Sequence, residues 1–275
     1  MPSAPARRTL KVATWNINSV RLRLPLVGDL VRDLAPDVIC LQETKCPDDL
    51  FPVEGLRAFG FEHIAHRGMK GYNGVAILSR IPFKVRADDP NWCEKGDCRH
   101  LGVTLQTPSG PIDVHDFYVP AGGDIPDRAL NVKFGHKLDF VAEATAWNAA
   151  LGPARRSVLV GDLNIAPLEH DVWSHKQLRA VVSHTPVEVE AINAWQRAGS
   201  WHDALRHFVP TDQKLYTWWS YRARDWEAAD RGRRLDHVWV SPDLAPGLHA
   251  HTILKAARGW ERASDHVPVM VELAV

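Results

Sequence analysis

The 275-residue chain has no apolar run as long as a membrane span, so no transmembrane helix and no membrane partner are expected. It has only four cysteines, Cys40, Cys46, Cys93 and Cys98, and no CxxC pair. That usage speaks against a disulfide scaffold and for reduced thiols in a cytoplasmic protein. Cys93 and Cys98 could share a zinc with His100, but no second ligand pair follows at zinc spacing. Met1 to Arg8 carry Pro, Ala and Arg without an apolar stretch before a cleavage site. A secretory signal is therefore not expected, and residues 1–8 read as a flexible end. An excess of charge is missing too, with 33 basic against 33 acidic residues. Nucleic-acid binders are often basic, so this balance counts mildly against DNA. Carboxylates gathered around a cation would offset basic residues elsewhere, which makes the distribution of charge the deciding quantity.

With no low-complexity segment and no linker, residues 1–275 read as one domain. Leu10 to Ile17 predicts a buried strand. Ser19 is a candidate cap for a helix carrying Leu22, Leu26, Leu30 and Leu34, with Pro25 in its first turns and Pro36 ending it. Residues 37–42 (DVICLQ) predict a second buried strand. Further strands are expected at 61–66, 74–79, 101–106, 112–118, 157–160, 235–240 and 267–273. Residues 128–149 predict a long helix with Leu130, Phe134, Leu138, Val141 and Trp147 toward a core. Shorter helices are expected at 188–198 and 201–207. Strands crowded this closely do not fit a simple alternating parallel sheet. Two sheets packed face to face, with helices outside, fit better. The halves look alike, each opening with a strand that ends in polar residues: Asn16 and Asn18 in one, Asp162 and Asn164 in the other.

The chemistry sits at those strand ends. Asn16 and Asn18 follow VATW, Glu43 follows VICLQ, Asp162 and Asn164 follow SVLVG, Asp236 precedes HVWVS, and Asp265-His266 precede VPVMVEL. Alone, each has a plain structural use as a turn former, a cap or a salt-bridge partner. Together they can converge on one point. A phosphodiester resists attack because its oxygens are negative, and a hard cation such as Mg²⁺, with oxygen ligands from one or two carboxylates, relieves that. Glu43 and Asn16 offer a partial cage, and Asp265 could complete it. Asp162 could orient and deprotonate water. Asn164, two residues on in an extended chain, would face the same side and hold water or phosphate. His266 could touch phosphate with Asp236 fixing its tautomer. Tyr118 could donate to a phosphate oxygen.

The segments 14–21 (TWNINSVR), 36–45 (PDVICLQETK), 71–79 (GYNGVAILS), 161–167 (GDLNIAP), 234–241 (RLDHVWVS) and 264–269 (SDHVPV) follow one another in order. They resemble the signature segments of the exonuclease III family of abasic-site endonucleases, within the endonuclease/exonuclease/phosphatase superfamily. The resemblance implies a four-layered α/β sandwich. It implies Mg²⁺-dependent cleavage 5′ of abasic sites, with Mn²⁺ able to substitute, and 3′-to-5′ exonuclease and 3′-end-cleaning activity. The implied partner is double-stranded DNA with abasic sites or blocked 3′ ends, met by a monomer. It assigns metal contact to Asn16, Glu43, Asp162, Asn164, Asp265 and His266. Catalytic roles fall to Tyr118, Asp162, Asn164, Asp236 and His266.

Substrate choice rests on 216–234, YTWWSYRARDWEAADRGRR, which resembles the family's damage-recognition loop. Arginine neutralises phosphates and tryptophan stacks where a base is missing. Trp218 and Trp219 are candidates for the pocket around the sugar. Arg222, with Arg231, Arg233 or Arg234, is a candidate for phosphate contact. The plainer reading pairs these arginines with Asp225, Glu227 and Asp230 and puts the tryptophans in the core. The turn of Tyr72 and Asn73 between Gly71 and Gly74 could meet phosphate through its backbone, and Lys45 adds charge. Segments 88–99 and 170–186 depart from the family pattern. Two other functions compete: a phosphatase for small phosphorylated molecules or lipid head groups, and a DNA-binding protein that has lost catalysis.

Overall fold

The structure is a computed structural model that describes residues 8–87, 89–151 and 156–275. The flexible end expected at 1–8 lies outside these, except for Arg8, whose backbone is tied to Val275 by hydrogen bonds in both directions. The strands are β1 (Thr9–Asn16), β2 (Val38–Gln42), β3 (His63–Met69), β4 (Tyr72–Ser79), β5 (Phe83–Val85), β6 (His100–Thr107), β7 (Gly110–Tyr118), β8 (Ser157–Asp162), β9 (His202–Asp203), β10 (Trp218–Trp219), β11 (Gly232–Arg233), β12 (Asp236–Val240), β13 (Leu248–Ile253) and β14 (Val269–Ala274). The helices are α1 (Leu24–Leu34), α2 (Val53–Arg57), α3 (Val132–Leu151), α4 (His175–Leu178), α5 (Pro186–Ala198), α6 (Ala204–Phe208) and α7 (Trp226–Ala229).

Two six-stranded sheets dominate, in the orders β3-β4-β2-β1-β14-β13 and β5-β6-β7-β8-β12-β9. Read that way, both show the same pattern of directions. Each has one parallel pair at its centre, β2 with β1 and β7 with β8, and antiparallel pairs on either side. β1 and β8 therefore hold equivalent places, as their polar ends suggested. The inner faces supply Val12, Val38, Ile77, Val114, Val160 and Val238 to a shared core. α1 and α2 cover the outer face of the first sheet through Val27, Leu30 and Leu56. α3 and α5 cover the second through Phe140, Val141, Ile192 and Trp195. This is the expected four-layered α/β sandwich.

Several local expectations differ from what forms. Ser19 does not cap α1, which starts at Leu24 with Pro25 in its first turn. The Ser19 N–H instead donates to Glu43 O at 2.7 Å. α3 begins after Leu130, which is 75% exposed rather than in the core. Residue 137 of α3 is a fully buried lysine, whose Nζ lies 2.5 Å from Glu188 Oε1 and donates to Asn164 O at 2.8 Å. Glu188 also completes a capping box with Thr185 at the start of α5. β5, β9, β10, β11 and β13 were not expected. They are very short or, in β13, rich in His and Thr.

Arg234 does not reach the surface. It is 1% exposed and donates to Asp203 Oδ2 at 2.6 Å and Asp171 Oδ2 at 3.0 Å. Arg206 donates to Asp171 Oδ1 at 2.5 Å. This buried network pins the segment around Asp171 to the start of β12. Removing the shared carboxylate leaves the buried Arg206 side chain without its acidic partner and buried Arg234 with Asp203 alone. Asp171→Ala should lower stability by about 3–5 kcal/mol. Urea unfolding checks this: the midpoint should fall with an unchanged slope, and an unchanged midpoint would contradict the role given to the network.

Candidate active site

Sheet pairing alone sets three of the sequence-predicted residues in a row. Asp162 ends β8, opposite Tyr118 of β7 and Asp236 of β12. From the other sheet, the buried Asn16 ends β1. Its Nδ2 donates to Asp162 Oδ2 at 2.9 Å and Glu43 Oε1 at 3.0 Å. One amide thus joins two carboxylates from different sheets. Tyr118 donates its hydroxyl to Glu43 Oε1 at 2.7 Å. The Lys45 ammonium sits 2.7 Å from Glu43 Oε2 and donates to Asn18 Oδ1 at 2.7 Å. Asn18 Nδ2 reaches Asp265 Oδ1 at 3.3 Å. Lys45, expected to face DNA, is thus engaged inside the cluster.

The chain after β2 takes unusual backbone angles to present these groups. Glu43 and Lys45 have φ of 51° and 49°. Such left-handed angles cost a side-chain-bearing residue about 1–3 kcal/mol and persist only where the surroundings fix them. Here Thr44 N donates to Gly74 O and Lys45 N to Asn73 O. Gly74 permits that contact, since a Cβ there would lie 2.1 Å from Thr44 Oγ1. The glycine turn therefore supports the Glu43 loop. Asn73 is buried and its Nδ2 donates to Asp97 O, while Tyr72 is exposed. Asn164 is likewise left-handed, with φ 53°, not extended as its spacing suggested. It still meets Asp162, its N–H donating to Oδ1 at 3.0 Å and its Nδ2 to Oδ2 at 3.1 Å.

His266 Nδ1 donates to Asp236 Oδ2 at 2.8 Å, and its Nε2 lies 3.6 Å from Asp162 Oδ2. Trp15 Nε1 holds the His266 carbonyl at 3.0 Å. Burial pushes the Asp162 carboxyl up to about 7, with Asp236 and Glu43 adding to the push and His266 and Asn16 opposing it. For His266, burial works against the charged ring, but the Asp236 and Asp162 carboxylates overcome it and raise its basicity. Burial would also raise Glu43, yet Lys45, Asn16 and Tyr118 hold it below the usual carboxylate range. Asp162, Asp236 and His266 bring ligand atoms within 4.8 Å of one another, but these are largely committed to each other. Glu43 and Asp265 widen the set, and its carboxylate oxygens suit a hard divalent cation, whereas Asn16 turns its Nδ2 toward the carboxylates and its Oδ1 accepts from the Asn18 N–H at 3.2 Å.

A family model described as the endonuclease/exonuclease/phosphatase family matches residues 13–266. The chain belongs to that family. Exodeoxyribonuclease III of Haemophilus influenzae is 31% identical, over 96% of this chain and 99% of its own. The DNA repair nuclease APEX1 of Danio rerio is 31% identical, over 97% and 83%. Among solved structures, the 3′ phosphatase NExo from Neisseria, bound to a product DNA hairpin, superposes with a TM-score of 0.87 at 31% identity, covering 97% of this chain and all of that one. An AP endonuclease from Archaeoglobus fulgidus gives 0.86 at 29% identity with the same coverage.

For this family member, the other predicted contacts divide by burial. Arg222 and Arg231 are exposed, and Arg231 lies over Trp173. Arg233 is half-buried, donates to Ser183 Oγ at 2.7 Å and lies over Trp218. Asp225 caps α7, and Asp230 faces Lys214 and Lys255. Among the described residues, neither they nor Glu227 pair with these arginines. Trp219 is only 3% exposed, packed edge-on to Tyr216 and Trp226. Trp218 is more open and donates Nε1 to Asp265 Oδ2 at 2.9 Å. Cys93 and Cys98 join no metal-competent group with His100 among the described residues.

Two residues in contact with the cluster had no sequence signal. Arg99 lies over the Tyr118 ring, 4.8 Å from its centre. Thr217 donates to Asp236 Oδ2 at 2.7 Å and accepts the N–H groups of Leu235 and Asp236 at 3.1 Å, which uses its full hydrogen-bonding capacity. Thr217→Val should lower turnover about 10- to 100-fold by freeing the Asp236–His266 pair, and Thr217→Ser should restore most of it. Steady-state kinetics of both variants test this. Near-normal turnover of the valine variant would remove Thr217 from the machinery.

Proposed function

We propose that the protein is a Mg²⁺-dependent DNA repair nuclease that cuts 5′ of abasic sites and trims or cleans 3′ ends, working as a monomer on duplex DNA. One observation carries the reading. A single open cleft of about 690 Å³ joins Glu43, Asp162, Asp265 and His266 to Trp218, Arg222 and Arg231 of the loop above them. A small phosphate ester needs the first group only. A polymer with a displaced sugar and flanking phosphates uses both. The kinship with proteins named exodeoxyribonuclease III, APEX1 and 3′ phosphatase supports the same substrate class. The cysteines Cys40, Cys46, Cys93 and Cys98 are all free, which fits the cytoplasm.

Glu43 and Asp265 would hold the cation, with Asn16 positioning the Glu43 carboxylate; when bound, the cation would neutralise phosphate oxygens and stabilise the leaving oxygen. Asp162, raised to about 7, takes the proton from an attacking water near neutral pH in this reading. Asn164 and Asn16 orient its carboxylate. His266, kept basic and aligned by Asp236, presents positive charge toward a phosphate oxygen. Arg222 meets a flanking phosphate.

Glu43→Ala and Asp162→Asn should each cut activity by several orders of magnitude while thermal unfolding still shows a folded protein. Full turnover in either would refute the site. Arg222→Ala should lower the slope of log affinity against log salt by about 1 and weaken binding across DNA sequences alike. Fluorescence anisotropy at several salt concentrations reads that slope, and an unchanged slope would take Arg222 off the DNA. Trp218 is the better probe of lesion selectivity, because Trp219 is packed into the loop.

A further inference from the structure

A second group of ligating side chains lies on the face of β6 and β7 that packs toward α3. Strand pairing sets Gly102 opposite His115 and His100 opposite Phe117, so the two histidines are diagonal neighbours. Their rings meet at 3.1 Å, His100 Nε2 to His115 Nδ1. Asp89 enters from the preceding loop. The Gly102 N–H donates to its Oδ2 at 2.7 Å, and its Oδ1 lies 3.8 Å from His100 Nδ1. One ligand atom from each of Asp89, His100 and His115 falls within 4.8 Å of the others.

Two further observations point to an occupant. His100 is 2% exposed, yet its Nδ1 has no hydrogen-bond partner and is turned toward the Asp89 carboxylate. Buried polar atoms are rarely left so without a reason. Gly102 leaves space where the donors converge: a Cβ there would stand 2.8 Å from Asp89 Oδ1 and 3.0 Å from His115 Nδ1. A cavity of about 150 Å³ bordered by Asp89, His100 and Cys98 gives access from solvent. Burial, with His115 beside it, keeps the His100 ring neutral, the form that binds metal.

We propose that Asp89, one ring nitrogen of His100 and His115 Nδ1 form a second metal site, for one zinc-class cation. Ligands bonded tetrahedrally to Zn²⁺ stand about 3.3 Å apart, between the 3.1 Å from His100 Nε2 to His115 Nδ1 and the 3.8 Å from His100 Nδ1 to Asp89 Oδ1. Two imidazoles and a carboxylate favour Zn²⁺ over Mg²⁺, the reverse of the oxygen-rich site around Glu43. Water from the cavity takes the fourth position. The site would clamp the loop from Asp89 to Arg99 onto the second sheet. That loop delivers Arg99, whose Nη1 donates to Tyr118 O at 3.3 Å.

The test uses the full chain, stripped with a chelator and titrated with Zn²⁺ in excess Mg²⁺. Retained metal and the thermal midpoint are measured after gel filtration. The expected result is one tightly held zinc per chain, a raised midpoint, and at least a tenfold loss of zinc affinity in Asp89→Asn and His115→Gln. Asp162→Asn should keep its zinc. Zinc-edge X-ray absorption of the unaltered protein gives a second reading that needs no variant, with scattering from two imidazoles expected. No retained zinc, zinc lost in Asp162→Asn, zinc kept in His115→Gln, or a spectrum with one imidazole or with sulfur would overturn the proposal.

Discussion

Two carboxylates from different sheets, Asp162 buried and Glu43 half-buried, share one amide, and the rest of the site is arranged around that fact. Glu43 and Asp162 would repel each other if nothing stood between them. Asn16 gives one N–H to each. Lys45 and Tyr118 satisfy Glu43 from one side, and His266 and Asn164 face Asp162 from the other. The concentration of negative charge is thereby partly offset, yet remains a place where a cation would lower the electrostatic energy. Because Asn16 ends β1 and Asp162 ends β8, the bond also fixes how the two sheets meet. Fold and site share that contact.

Much of this was legible in the sequence because strand ends are legible. A run of buried residues that stops at an Asn, Asp or Glu marks both the element and the group it presents. Asn16, Glu43, Asp162, Asp236, Asp265 and His266 were all found that way, and the structure brings them together. What was missed depends on tertiary context. Thr217 looks like any threonine until Asp236 is seen beside it. Lys137 sits where a helical pattern calls for an apolar residue, and only Glu188 explains it. Arg234 and Arg233 are neighbours in sequence, but one is buried among carboxylates and the other faces the cleft. Arg233 ends the two-residue β11 and Arg234 follows it toward Asp171 and Asp203, and a loop reading could not anticipate so short a strand.

The formal charge of zero ceases to weigh against DNA once charge is located. Acidic residues are spent in the catalytic cluster and in buried networks such as Asp171 with Arg206 and Arg234. Exposed Arg231 and half-buried Arg233 remain at the rim of the cleft, over Trp173 and Trp218. A neutral chain can therefore present a locally basic, aromatic face to nucleic acid.

The most direct test of the account is a cleavage map. A labelled DNA duplex carrying one abasic-site analogue is incubated with Mg²⁺ or with a chelator, beside an intact duplex and a soluble inositol phosphate. The account predicts Mg²⁺-dependent cutting immediately 5′ of the lesion and no phosphate release from the small ester. Release from the inositol phosphate with the lesion duplex left whole would contradict it.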